Sequence, residues 1–218
     1  MYLPNYHRFT DRDAILSLIE SHALGAWVCH CDGDLVANHL PFFLDRTRGA
    51  NGTLMGHVSR ANGVWRALAA DTPSIVMFRG PQSYISPGWY PGKVAHGEVV
   101  PTWDYAVAHA HGVARVIEDR DWMLGMLGRL TNAQESSRAE PWQVGDAPGA
   151  YVDRLLRAIV GIEIPIDALE GKLKLSQDEA LPDRIGTVTG LQTAPGDEAR
   201  TLAEWVKRAI DAESPAGR

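Results

Sequence analysis

The chain has 218 residues, of which 45% are hydrophobic and 22% are charged. This composition is enough to bury the core of one compact domain, and it excludes a disordered chain. The 21 basic and 27 acidic side chains give a formal net charge of −6. Because DNA binding needs a basic surface to neutralise phosphates, direct DNA binding is a doubtful interpretation.

The N-terminal segment predicts a helix. Thr10 is a good N-cap residue, and Asp13 follows at the position from which it can bond back to the cap. An apolar stripe comes next, made of Ile15, Leu16, Leu18 and Ile19. We expect the helix to stop near Gly25.

A β-hairpin is predicted after this helix. Residues 26–31 and 34–44 are rich in strand-forming side chains, and the Asp-Gly pair that joins them is typical of tight hairpin turns. On a strand, the side chains of Cys29 and Cys31 point the same way, and a disulfide between them would need a very tight ring. Reduced thiols, and therefore a cytoplasmic protein, are expected.

The middle of the chain predicts further strands and a long loop. Strands are expected at 53–58 and 73–79, with a short helix at 64–68 between them. Residues 80–97 contain four glycines and three prolines, so we expect an irregular loop there. A strand at 98–117 follows, and one of its faces carries mainly small side chains, at Ala108, Ala110, Gly112, Ala114 and Val116. We expect something bulky to pack closely on that face, such as a helix or a second subunit in a dimer core.

The C-terminal part predicts three helices and one long strand or strand pair. The helices are expected at 122–130, 151–159 and 197–212, and the strand at 161–175. Many short strands with few helices predict a mainly β fold with peripheral helices, such as a closed or split β-barrel. No apolar run approaches the roughly 20 residues that a membrane helix needs, and no signal peptide is evident, so no membrane association is expected.

Eight histidines and two cysteines raise the question of a metal site. His109 and His111 share one face of the predicted 98–117 strand, and Cys29-His30-Cys31 with His39 could supply further ligands. However, the sequence has no C-x-x-C pair and no H-E-x-x-H motif, the spacings that make metal motifs specific, so no metal site is predicted. A G-x-S-x-G motif for a nucleophilic serine is also absent.

A candidate anion site lies where the strand at 53–58 ends. The Gly-His-Val-Ser-Arg segment there would offer backbone N–H groups, the Ser59 hydroxyl and the Arg60 guanidinium, which suits bidentate phosphate contact. An arginine at a strand end is more often part of a surface ion pair. Flat aromatic side chains could wall a pocket for a planar ring system or simply fill the core, and they are Tyr84, Trp89, Tyr90, Trp103 and Tyr105.

Five sequence strings occur in a fixed order along the chain. They are Asn38-His39-Leu40-Pro41, Leu54-x-Gly56-His57-Val58-x-Arg60-Ala61-Asn62, Gly80-Pro81-x-x-Tyr84-Ile85-Ser86-Pro87-x-Trp89-Tyr90, Val100-Pro101-Thr102-Trp103-x-Tyr105 and Lys172-Leu173-Lys174-Leu175-Ser176-Gln177. In this order they resemble the PaiB family of FMN-binding negative transcriptional regulators, which is related to the pyridoxamine-phosphate-oxidase-like split barrels. The resemblance runs nearly end to end.

This resemblance implies a homodimeric FMN-binding split β-barrel with two FMN sites at the subunit interface. It also implies a barrel domain at 1–175 and a helical extension at 176–218 that packs on the barrel. One group of implied site residues would hold the phosphate or lie beside the flavin, and it consists of His39, His57, Ser59 and Arg60. A second group would come from near the interface, and it consists of Trp103, Lys172 and Gln177.

Three positions depart from the family pattern. Asp104 and Asp178 stand where the family has asparagine, and an ionised carboxylate accepts hydrogen bonds but cannot donate them. Beside a phosphate or a reduced flavin, such a carboxylate would repel the ligand. Gly63 stands where the family usually has proline.

The function that the resemblance implies is an FMN-binding transcriptional regulator, acting through the flavin or through a partner. Two alternatives stay open. One is a flavin-dependent oxidoreductase of a small molecule, in which any nicotinamide would bind transiently over the flavin because the chain has no Rossmann fingerprint. The other is a haem-binding split barrel with His39, His57 or His96 as an iron ligand. The residues do not decide whether the protein is an enzyme.

Overall fold

The computed structural model describes residues 1–68 and 71–213 of the chain. Its strands are β1 Arg8–Phe9, β2 Leu24–Cys31, β3 Asp34–Pro41, β4 Phe43–Asp45, β5 Thr53–Ser59, β6 Pro73–Ile85, β7 Thr102–Val113, β8 Arg115–Ile117 and β9 Ile159–Lys174. Its α-helices are α1 Arg12–Ser21, α2 Val64–Ala67, α3 Gly92–Ala95, α4 Arg120–Glu135, α5 Gly149–Leu156, α6 Leu181–Thr193 and α7 Asp197–Glu213. Within the described residues, none of these helices combines the length and the apolar character needed to cross a membrane.

The fold is mainly β, as predicted. The strands follow the order β3-β2-β6-β7-β9-β5-β4, and β1 and β8 also pair with β9. The chain forms two compact units, which we name by their contents. The hairpin unit consists of Arg12–Phe78 and His109–Leu169. The helix-pair unit consists of Met1–Asp11, Arg79–Ala108 and the described residues from Glu170 onward.

The predicted hairpin is confirmed as β2 and β3, which are antiparallel. Asp32 and Gly33 turn the chain with φ angles of 52° and 91°, the left-handed conformation that such a tight turn needs. Cys29 and Cys31 point to the same buried side, with their Sγ atoms 3.6 Å apart and both thiols free. Burial raises the pKa of the Cys29 thiol to about 12, so this thiol is protonated near neutral pH.

The first helix is shorter than predicted. It begins at Arg12, one residue later than an N-cap at Thr10 predicts, and it ends at Ser21. Gly25 does not end the helix but lies inside β2, where a Cβ atom would stand 2.6 Å from the Val76 side chain. The glycine therefore permits close packing of β2 against the side chains of β6.

The prediction of a loop at 80–97 is wrong in its first part. β6 continues through Gly80 and Pro81, both of which are buried, as far as Ile85. The remaining residues form a 3-10 turn and the short helix α3, and β7 begins only at Thr102. Local glycine and proline content favoured a loop, but pairing within the sheet overrides that preference.

β7 buries its small-residue face. Ala110 is fully buried, and a Cβ atom on Gly112 would stand 2.1 Å from the carbonyl oxygen of Pro165 in β9. The close packing expected on this face is supplied at Gly112 by the chain's own β9, and a contribution of this face to a dimer core stays a prediction.

The helix-pair unit contains a helix that the sequence patterns miss. α7 confirms the predicted helix at 197–212, whereas α6 has no predicted counterpart. Gly186 and Gly190 of α6 leave room for Trp89, whose ring would lie 2.0 Å from a Cβ atom on Gly190. The buried cluster beneath the two helices consists of Ile85, Tyr90, Leu175, Leu191, Ala199, Leu202, Ala203 and Val206.

The other predicted elements are confirmed with shifted ends. α4 is longer than predicted, α5 ends at Leu156, and β9 is one continuous strand. The division into a barrel domain at 1–175 and a helical extension at 176–218 stays a prediction.

Candidate functional site

Arg60 follows β5 directly, and its guanidinium is anchored within the hairpin unit. Nε donates to the Arg157 carbonyl oxygen at 3.0 Å, and Nη2 donates to the Ile159 carbonyl oxygen at 3.2 Å. Nη1 donates to a carboxylate oxygen of Glu118 at 2.6 Å. The Arg60 backbone N–H also donates to Ala158 at 2.8 Å. Each guanidinium nitrogen thus donates one hydrogen bond, Nε and Nη2 to backbone carbonyl oxygens and Nη1 to the Glu118 carboxylate.

A cleft of about 270 Å³ opens beside this guanidinium, lined by Arg60, Glu118, Arg120, Met123, Asp153, Leu156 and Arg157. Arg120 pairs with Asp153 at 2.6 Å. The exposed Arg157 guanidinium has no ion-pair partner among the residues that the structure describes. Arg120 also pairs with Asp121 at 3.1 Å, outside the lining of the cleft. Arg157 is thus the guanidinium of the cleft that is available to an anion.

His57 and Ser59 lie at the C-terminal end of β5, directly before Arg60. His57 is half-buried, and its Nδ1 atom has no hydrogen-bond partner among the described residues. Burial lowers the pKa of this imidazole, so it is neutral near pH 7. Ser59 is exposed, and its Oγ accepts a 3.3 Å hydrogen bond from the Ala61 N–H group. Both residues precede Arg60 on the same strand, but neither is among the residues that line the cleft.

His39 lies on β3, opposite Ala26, and its side chain is exposed. The neighbouring Asn38 accepts a 2.7 Å hydrogen bond from the side chain of Asn62. This bond ties β3 to the loop that follows Arg60. The first group of predicted site residues therefore lies wholly within the hairpin unit, and it consists of His39, His57, Ser59 and Arg60.

Trp103 belongs to the helix-pair unit and is 47% exposed. Its Nε1 donates to the side-chain oxygen of Gln82 at 2.5 Å, and its ring meets that of Tyr84 edge-on with centroids 6.2 Å apart. The indole is therefore fixed in orientation while half of its surface stays open to a planar ligand.

Lys172 is nearly buried in the same unit. Its ammonium group donates to the Tyr2 carbonyl oxygen at 3.4 Å and lies 5.3 Å from the centre of the Tyr105 ring. A second aromatic contact, at 5.8 Å, is with the ring of Tyr2. Lys172 is thus a cation held mainly by aromatic faces.

Both ends of the Gln177 side-chain amide form hydrogen bonds to the backbone of the turn that contains this residue. Its Oε1 accepts a 2.7 Å hydrogen bond from the Leu175 N–H group, and its Nε2 donates to the Leu173 carbonyl oxygen at 2.8 Å. Ser176 between them has a φ of 57°, which few non-glycine residues adopt. The amide of Gln177 therefore shapes the turn.

Asp104 is fully buried inside the helix-pair unit. Ser176 donates to one of its oxygens at 2.6 Å, and the Lys174 ammonium group lies 3.5 Å from the other. Burial raises the pKa of Asp104 despite these partners. Asp104 is therefore closed off from solvent, whereas Asp178 is exposed and lies 3.8 Å from His7. Repulsion of a flavin by either carboxylate stays a prediction.

Sequence patterns alone missed four polar residues of the cleft. Glu118, Arg120, Asp153 and Arg157 lie 58 or more positions from Arg60 along the chain. No local motif connects them, because the β5–β9 pairing and the start of α4 bring them together.

A solved structure of low sequence identity shares this fold. The "FAD and Heme binding protein" from Mycobacterium smegmatis aligns with a TM-score of 0.58 and 20% identity, covering 89% of this chain and 79% of that chain. The chain has a split-barrel fold, and the predicted mainly β split barrel with peripheral helices is confirmed, whereas the homodimer stays a prediction.

The family follows from the sequence comparisons. A family described as "Putative FMN-binding domain" matches residues 1–168, and the chain belongs to this family. It is 29% identical to "Protease synthase and sporulation protein PAI 2" of Bacillus subtilis, over 95% of this chain and 97% of that protein. It is 32% identical to "Uncharacterized protein AN0679" of Emericella nidulans, over 95% and 96% of the two chains. The resemblance to the PaiB family is confirmed.

Proposed function

We propose that this chain is a cytoplasmic, homodimeric FMN-binding protein of the PaiB type, which influences transcription through its flavin or through a partner. The family match and the Bacillus subtilis relative, named for protease synthesis and sporulation, support this proposal. The two free thiols at Cys29 and Cys31 are consistent with a reducing compartment.

The arginine cleft beside β5 is the observation that carries the FMN proposal. A phosphate dianion accepts several charge-assisted hydrogen bonds, and the guanidinium fork of arginine matches its geometry. Arg60 would exchange the Glu118 carboxylate for a phosphate oxygen while keeping its two bonds to backbone carbonyl groups. Arg157 and the Ser59 hydroxyl would supply further donors. The residues present therefore fit a flavin phosphate.

The resemblance assigns the other site residues to the flavin as well, with Trp103, Lys172 and Gln177 coming from near the subunit interface. Trp103 offers a flat, half-open ring surface, and Lys172 offers a cation close to the aromatic rings. His39 and the neutral His57 each present an imidazole on a strand of the hairpin unit. Gln177 would act on the flavin site indirectly, because its amide fixes the backbone turn through bonds to Leu173 and Leu175. Bound FMN would supply one-electron and two-electron transfer.

An absorption spectrum of the purified protein, followed by FMN titration, tests this function. We expect flavin bands and saturable binding that weakens roughly tenfold or more in Arg60→Ala, because each lost charged hydrogen bond costs about 1.5–3 kcal/mol. Arg200→Ala on α7, paired only within its own helix, is the matched control and should bind like the unaltered chain. Absence of FMN binding contradicts the proposal, and a Soret band would indicate haem instead.

The homodimer is tested separately by light scattering. The resemblance places Trp103, Lys172 and Gln177 near the subunit interface, so an obligate dimer is expected, with and without FMN. A monomer under those conditions contradicts this part of the proposal. For transcription, a gel shift with promoter DNA at physiological salt should show no direct retardation, consistent with the formal charge of −6.

A further inference from the structure

His109 and His111 lie two residues apart on β7 and point to the same half-exposed face. Their ring centroids are 6.5 Å apart, and each ring offers a nitrogen within 4.8 Å of a nitrogen of the other. Both residues belong to the hairpin unit and neither is among the predicted flavin-binding residues. The pair is therefore independent of the proposed FMN site.

The opposite face of β7 holds this segment rigidly. The intervening Ala110 is fully buried, and the Gly112 backbone contacts Pro165 so closely that a Cβ atom there would clash. The Ser74 hydroxyl donates a 3.0 Å hydrogen bond to the Gly112 carbonyl oxygen. The backbone that carries both histidines is therefore fixed from behind. The imidazoles are thus preorganised as a pair.

We infer that His109 and His111 form a chelating site for a divalent late transition-metal ion such as Cu²⁺, Ni²⁺ or Zn²⁺. Imidazole nitrogen is a preferred ligand of these ions, with metal–nitrogen bonds of about 2.0–2.1 Å. Two such bonds at a tetrahedral angle place the nitrogens roughly 3.3 Å apart, which small side-chain rotations can reach. Water or a solute anion would complete the coordination.

Each imidazole has two nitrogens, so one can bind the ion while the other keeps a hydrogen bond to the protein. The spacing explains why sequence motifs did not predict this site. Known signatures place ligands at C-x-x-C or H-E-x-x-H spacing, whereas two histidines at i and i+2 converge only when the segment is a strand. The order of affinity for a nitrogen site predicts that Cu²⁺ binds most tightly.

Isothermal titration of the chelator-washed full chain with Ni²⁺ and Zn²⁺ tests the inference. We expect one ion per chain, and a loss of affinity of roughly tenfold or more in His109→Gln and in His111→Gln, since even second-shell changes at metal sites have effects of that size. His30→Gln, which removes an exposed histidine from β2, is the matched control and should leave binding unchanged.

A second readout does not depend on the variants folding. The electron paramagnetic resonance spectrum of the unaltered chain with one equivalent of Cu²⁺ should show coupling to two imidazole nitrogens. The inference is overturned if the unaltered chain binds no ion, if the His109→Gln/His111→Gln double variant binds as tightly as the unaltered chain, or if His30→Gln causes an equal loss.

Discussion

The two units of the molecule differ in where a charged side chain of interest lies: at an open cleft in the hairpin unit and in the buried interior of the helix-pair unit. In the hairpin unit, Arg60 lies at the rim of an open cleft and shares its guanidinium between backbone carbonyls and Glu118. In the helix-pair unit, Asp104 is fully buried and has Ser176 and Lys174 as partners. A charge at an open cleft can exchange its partner for a ligand, whereas a buried charge is committed to the fold.

This difference changes the meaning of the family motifs. Arg60 matches a string that carries the PaiB resemblance, whereas Asp104 departs from one, and the sequence alone does not say whether either residue meets a ligand. The structure separates them, because it shows which side chain a ligand can reach. We therefore expect changes in the helix-pair interior to alter stability, and changes at the arginine cleft to alter ligand affinity.

The largest expected effect is on the packing of α6 in the helix-pair unit. Gly190→Ala would place a methyl group 2.0 Å from the Trp89 ring, which is overpacking against a rigid neighbour. We expect a loss of about 3 kcal/mol in the free energy of unfolding, measured by urea denaturation. Gly125→Ala in α4, where a Cβ atom has open space, should instead stabilise the chain by up to about 1 kcal/mol. Equal effects of the two substitutions would contradict the packing observed for Trp89.

The next effect concerns the buried carboxyl group. Asp104→Ala leaves the Ser176 hydroxyl and the Lys174 ammonium group without their acceptor, and we expect it to cost about 2 kcal/mol of unfolding free energy. Thermal or urea unfolding measures this loss. Asp121→Ala, at an exposed position of α4, is the control and should change stability by less than about 0.5 kcal/mol.

The pH dependence of Asp104 has a definite sign. Since burial raises its folded-state pKa, its contribution to stability is greatest below the unfolded pKa and is lost as the pH rises through the folded pKa. Asp104→Asn removes this titration. Its stability relative to the unaltered chain should therefore increase from about pH 4 upward, as urea unfolding at several pH values can show. A relative stability that falls over this range would contradict the burial of an ionisable group there.

The smallest effect is expected at the arginine cleft. Glu118→Gln removes the carboxylate that pairs with Arg60 at 2.6 Å, and it should tighten FMN binding about twofold to fivefold. The free energy of unfolding should barely change, because exposed ion pairs contribute little. Fluorescence titration with FMN measures the affinity, and weaker binding in this variant would show that Glu118 does not compete with the phosphate.

Features determined by neighbouring residues could be predicted from the sequence. The hairpin was predictable because Asp32-Gly33 favours the turn locally. α6 was not, because Gly186 and Gly190 resemble helix breakers until Trp89 is known to pack on them. Arg60 was identified by its position at a strand end, but its partner Glu118 comes from a distant segment of the chain.

The central claim, that the arginine cleft holds the flavin phosphate, is tested most directly by comparing FMN with riboflavin, which lacks that phosphate. The ratio of their dissociation constants should be measured for the unaltered chain, Arg60→Ala and Arg157→Ala. We predict a strong preference for FMN in the unaltered chain that decreases roughly tenfold or more in Arg60→Ala and decreases also in Arg157→Ala. An unchanged ratio in both variants would place the phosphate elsewhere and contradict the account.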